Sequence, residues 1–164
     1  MSKTADPLYP NVRSGQYVMV ESRVRCSQCK RASAVFAFAL PAGYETLYVD
    51  DDTPDDESGT WESIGLAAIL SFVDGLSEAV ASRLRALTPH YRVDRDINTG
   101  ESFWINHCEH CGAQMEEAEL HDELDGPFGP TPYEGLESVR LHEVREPFEA
   151  CAGGESTHLI PVNG

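Results

Sequence analysis

The sequence predicts an α+β fold, and three observations predict it. Two Cys-x-x-Cys pairs, Cys26-Ser27-Gln28-Cys29 and Cys108-Glu109-His110-Cys111, stand far apart in the chain. Short β-prone runs lead into and out of each pair, and one amphipathic helix pattern lies between them. Taken together they describe two knuckles carried on an antiparallel sheet, with a helix and an acidic loop inserted between them.

A tight turn between two cysteines aims both sulfurs at one point, so each pair supplies half of a tetrahedral site. With no secretory signal in view, thiols stay reduced, and Cys26, Cys29, Cys108 and Cys111 are the expected ligands of one structural Zn²⁺. The competing reading is a pair of redox motifs. Neither pair opens a helix after a strand, as a redox motif of the βαβ type does. The halves are separated by 78 residues (30–107), which makes this a zinc ribbon with a large insertion.

The chain divides into an N-terminal arm (1–15), a single domain (16–150) and a C-terminal tail (151–164) on this reading. Pro7, Pro10 and Gly15 mark the arm. Tyr17-Val18-Met19-Val20 and Val24 form a strand that delivers Cys26, and Ala34 to Leu40 is apolar on both faces, as a central strand is. Phe36 and Phe38 share one of those faces. Tyr44 to Val49 adds a short strand, followed by Asp50-Asp51-Asp52-Thr53-Pro54-Asp55-Asp56-Glu57. That run lacks the Gly and closing Glu of a calcium loop and reads as a solvated acidic loop.

Leu66 to Val73 reads as a strand ending at Asp74-Gly75. Leu76, Val80, Leu84 and Leu87 then recur at helical spacing, with Ser77 as N-cap, Glu78 in the first turn and Pro89 beyond the end. Tyr91 to Asp94 and Phe103 to Ile105 flank Asn98-Thr99-Gly100 and read as a hairpin whose turn takes positive φ at Asn and Gly. Gly112 supplies a left-handed turn after the second knuckle, and Met115 to Leu120 is the expected closing strand. Val139 to Val144 and Pro147 to Ala150 suggest edge strands before a frayed, Gly-rich end.

The stretch Thr99-Gly100-Glu101-Ser102-Phe103-Trp104-Ile105-Asn106-His107-Cys108-Glu109-His110-Cys111-Gly112-Ala113, with Arg25-Cys26-Ser27-Gln28-Cys29 upstream, resembles a group of uncharacterised bacterial zinc-ribbon proteins. Their pattern is TG-E-x-[YF]-W-x-NHC-x-HCGA with an upstream CxxC. The resemblance runs from about Val24 to Ala150 and takes in Gly126-Pro127-Phe128 and Glu146-Pro147-Phe148-Glu149-Ala150. It implies the four-cysteine site and a bacterial, mobile-element origin, and no reaction. Glu116-Glu117 stands where the group usually has Gly-Asp.

Charge is the second guide to function. At 164 residues with 41% hydrophobic and 24% charged residues, the chain is of ordinary globular composition. Yet 28 Asp and Glu face 12 Lys and Arg, a net charge of −16. A phosphate backbone is repelled by such a surface, whereas a basic protein partner is attracted. The reading for function is therefore a non-enzymatic zinc-binding interaction protein with an acidic surface, of which a mobile-element inhibitor or nucleic-acid mimic is one form. The alternative is a ribbon touching DNA or RNA through Arg25, Lys30 and Arg31. An enzyme is the third reading.

His107 and His110 are expected to support the site by hydrogen bonding, because four sulfurs already fill the tetrahedron. Cys151 with His158, and Asp122 with Glu123, are coincidental pairs in an acidic chain. Phe103 and Trp104 could stack bases, but burial of at least one against the hairpin is expected. Cys151 reads as a small apolar residue of a late strand. The absence of an apolar run of about 18 residues gives the expectation of a soluble, cytoplasmic protein.

Overall fold

The computed structural model describes residues 9–48, 59–117, 120 and 140–157, with 155–157 as backbone only. Among the described residues, ten strands and one helix follow in the order β1 (Val12–Ser14), β2 (Tyr17–Arg25), β3 (Ala32–Leu40), β4 (Glu45–Tyr48), β5 (Thr60–Ser63), β6 (Ala68–Leu76), α1 (Glu78–Leu87), β7 (Tyr91–Arg95), β8 (Ser102–Asn106), β9 (Arg140–Val144) and β10 (Phe148–Thr157). Eight strands form one antiparallel sheet in the order β5-β4-β1-β10-β6-β3-β2-β9, and β7 and β8 form a separate hairpin. The fold is mostly antiparallel sheet with one short helix.

The strand β3 sits between β6 and β2, where a segment apolar on both faces has to sit. Phe36 and Phe38 face one core with Tyr17, Met19, Leu70, Phe148 and the helix residues Val80, Ala81 and Leu84. Val35, Ala37 and Ala39 face a second core with Val18, Val20, Ile69, Met115, Leu120 and the sulfurs of Cys26 and Cys108. One face of the sheet thus takes the helix, and the other takes the cysteine knuckles.

The helix forms as its pattern demands. Ser77 Oγ accepts from the Val80 amide, Glu78 occupies the first turn, and Thr88 caps the end through its amide to the Leu84 carbonyl. Arg83 pairs with Glu146 on the approach to β10, tying the exposed face of α1 to the sheet.

Several expectations are corrected. Part of the expected arm is strand: β1 pairs with both β10 and β4, because Asn11 and Val12 find backbone partners in Ala150 and Thr46. The expected tail continues the sheet, since β10 runs to Thr157 between β1 and β6. Its Gly153 and Gly154 lie within the strand, just past a bulge where Cys151 faces Gly75, Ala152 faces Val73 and Asp74 is the extra residue. Across from them Phe72 takes φ +52°, and a Cβ would come within 3.1 Å of Phe72 Cβ at Gly153 and within 2.6 Å of Ser71 Oγ at Gly154, so the glycines admit these close neighbours. That bulge also carries β6 through Asp74-Gly75 rather than ending it there. The short strand β5 was not expected. In the β7–β8 turn only Gly100 takes positive φ (+79°); Asn98 instead donates its amide to Asp96 Oδ1. The acidic run at 50–57, the pairs Asp122/Glu123 and Cys151/His158, and Gly126 to Pro130 lie wholly or partly outside the described residues.

Leu84 is fully buried between helix and sheet. Leu84→Ala is expected to lower stability by about 3 kcal/mol, read by urea denaturation with the metal content held constant.

Candidate metal centre

The two knuckles are built alike. In the first, the Cys26 amide donates to the Arg31 carbonyl and the Lys30 amide returns to the Cys26 carbonyl, both at 2.9 Å. In the second, the Cys108 amide donates to Ala113 and the Gly112 amide returns to Cys108, again at 2.9 Å. The residue after each second cysteine is left-handed: Lys30 at φ +66° and Gly112 at φ +79°. This turn points backbone amides at sulfur. Gln28 donates to Cys26 Sγ at 3.3 Å and His110 to Cys108 Sγ at 3.4 Å.

The strands β2 and β3 hold the first knuckle at their tip, and β8 delivers the second. The structure brings together all four cysteines that the spacing singled out: their sulfurs lie within 4.8 Å of one another. Cys26 Sγ is 3.7 Å from Cys111 Sγ, and Cys29 Sγ is 3.7 Å from Cys108 Sγ. A disulfide would hold sulfurs at about 2.0 Å. A tetrahedron of sulfurs at about 2.3 Å from a central ion has edges of about 3.8 Å, so the spacing fits ligation. The four thiols form a possible metal site.

Their electrostatics fit the same role. Burial works against ionising Cys108, but the amides of Cys111 and His110 outweigh it and hold the thiol down at about 6. Cys26 is lowered too, the Cys29 amide contributing most. Cys111 moves the other way, up to about 11: the Ala113 amide lowers it, but desolvation and the neighbouring sulfurs prevail. Such a cluster gives up its first protons readily and its last only to a cation.

Neither histidine competes for the site. His110 Nε2 lies 2.9 Å from the Ala32 carbonyl. His107 is buried, with Nδ1 3.1 Å from the His90 carbonyl and Nε2 2.7 Å from Asp94 Oδ2, so it spans the hairpin as expected. The hydrogen bonds from His107, then Gln114 and the Arg95 amide, hold the Asp94 carboxyl well below the usual carboxylate range. Phe103 and Trp104 are both buried, which removes them as base-stacking platforms.

The expected closing strand from Met115 to Leu120 is replaced by a single bridge, His107 to Gln114, followed by a helical turn in which the Leu120 amide donates to the Glu116 carbonyl. The reason is visible in Glu117. Its carboxylate is buried and accepts from the Phe72 amide at 2.8 Å, a contact that a strand's extended path would not make.

Other residues of the site went unnoticed in the sequence. Glu109 accepts from the Ala34 amide and from Arg23, while its own amide donates to Ser33 Oγ, so the second knuckle is sewn to the start of β3. Asn106 is buried and grips Phe36, accepting its amide at 2.8 Å and donating to its carbonyl at 2.9 Å. The only signal for these was their position: each lies within two residues of a cysteine of the second knuckle.

No protein-family model, curated protein or solved structure matches the chain. The reading of the site rests on its own geometry. No helix among the described residues is long and apolar enough to cross a membrane.

A Cβ at Gly112 would meet nothing within 4 Å, so its left-handed backbone is the whole constraint. Gly112→Ala is expected to cost about 1 kcal/mol by denaturation of the metal-loaded protein, whereas Lys30→Gly is not destabilising, because it relieves the same conformation.

Proposed function

We propose that Cys26, Cys29, Cys108 and Cys111 bind one structural Zn²⁺ as a zinc ribbon, within a non-enzymatic interaction protein whose acidic surface engages a basic protein partner. The observation that carries the metal reading is the convergence of four thiols at tetrahedral spacing. All-sulfur donors favour zinc, and four of them leave no open position for a reacting water. The ion's place is therefore architectural.

The acidity carries the partner reading. Four thiolates and one Zn²⁺ add two further negative charges to the −16 of the chain. Arg23, Arg25, Lys30 and Arg31 all fall in the first knuckle's neighbourhood, all exposed, with no Asp or Glu among residues 23–31. They offset the thiolate charge, and the acidic excess then falls on the rest of the molecule. An inhibitor that occupies a nucleic-acid-binding surface is one partnership that such a charge distribution serves. The same exposed Arg25, Lys30 and Arg31 favour a second reading, local contact with nucleic acid, but too few cations are present to displace many counterions.

Elemental analysis of the reduced protein is expected to return one zinc per chain. Affinity for zinc should fall steeply from about pH 7 to about pH 5, as protons compete for the thiolates. Absence of bound metal, or an affinity indifferent to acid, would count against the site. For the partner, pull-down from cell extract is expected to return a basic protein that salt releases. Labelled DNA and RNA are expected not to bind at low salt, and tight binding there would transfer support to the second reading.

A further inference from the structure

The sheet carries a fork. Strand β6 pairs with β3 only at Ala39↔Ile69 and Leu40↔Ala68, although β3 extends back to Ala32 and β6 on to Leu76. Beyond those pairs, each strand has a backbone amide that the other no longer satisfies. An amide has one hydrogen, and here each goes to a side chain: Phe36 to Asn106 Oδ1 and Phe72 to Glu117 Oε2. Both side chains belong to the short segment that contains the second knuckle. Between them the Met115 amide donates to the Asn106 carbonyl, closing the segment on itself.

We infer that the metal centre is a latch: with the ion bound, the side chains of Asn106 and Glu117 are clamped into the fork between β3 and β6, and ion loss frees this pair and the knuckle between them (108–113) from the fork. His107 and Gln114 then stay bonded to the hairpin, and the rest of the sheet stays folded. The inference rests on the metal reading above. Three further observations support it. The hairpin β7–β8 is held independently, because Tyr91 and Trp104 lie in the core that contains the helix. The segment beyond it meets the opposite core, where Cys26, Cys108, Met115 and Leu120 cover Val35, Ala37 and Ile69. Finally, β6 keeps its long pairing with β10, and β3 its long pairing with β2, whatever happens in the fork. Release therefore uncovers an apolar strip without dismantling the sheet.

The test is amide hydrogen exchange on the full chain, metal-loaded and after excess chelator, with metal content measured in parallel. Exchange at Phe36, Phe72 and 108–113 is expected to rise by on the order of a hundredfold on chelation, while His107, Val20 and Leu84 keep their protection and an apolar-surface dye binds. By reciprocity, Asn106→Ala should weaken metal affinity by on the order of tenfold although it removes no sulfur. If the ion leaves and Phe36 and Phe72 stay protected, or if every amide exchanges together, the latch is wrong and the metal site stands. If the protein neither contains nor takes up metal, the site reading itself falls, and the latch with it.

Discussion

Four sulfurs meeting at one point constrain the fold more than any other feature, because they join a hairpin tip near residue 27 to a turn near residue 110. Cross-linking a loop of this length removes roughly 4–5 kcal/mol of chain entropy from the unfolded state. Metal ligation in small ribbons is worth on the order of 10 kcal/mol. The sheet already closes part of that loop where β3 meets β6, at Ala39↔Ile69 and Leu40↔Ala68. An ion held there would thus stabilise less the global closure than the docking of the second knuckle onto β3.

That docking is polar, and its pieces are interdependent. Glu109 and His110, the two residues inside the second Cys-x-x-Cys, both reach the first turns of β3, through Ala34, Ser33 and Ala32. The first knuckle immediately precedes that start of β3 in the chain. Placing the sulfurs at 3.7 Å therefore also places these contacts, and losing either loosens the other. His107 and Asp94 do the equivalent work on the hairpin side, fixing the strand that presents Cys108.

The parts of this structure that were legible in the sequence are those whose physics is local. A Cys-x-x-Cys turn, the Ser77 cap with leucines at helical spacing, and the doubly apolar run from Ala34 to Leu40 each announce themselves within ten residues. What was not legible depends on distant partners. Nothing near Val12 shows that Ala150 will pair with it, and nothing near Gly153 shows that Phe72 of a distant strand will lie too close for a side chain there. Asn106 and Glu117 are the clearest cases: both are polar residues that sequence places on a surface, yet each is buried because a backbone amide of another strand has no other acceptor. Lys30 is a further case, holding a left-handed turn where the matching knuckle has Gly112.

The charge pattern follows from the same arrangement. A four-thiolate centre would retain negative charge even with a divalent ion in place, and cations beside it offset that charge; despite the Ala113 amide, desolvation and the neighbouring sulfurs hold the Cys111 thiol up at about 11. Arg23 combines both duties, bonding the Ala32 carbonyl and the Glu109 carboxylate at the junction of the knuckles. Arg25, Lys30 and Arg31 stand exposed beside it, so the cations of the first knuckle gather where the four thiols meet and offset their charge.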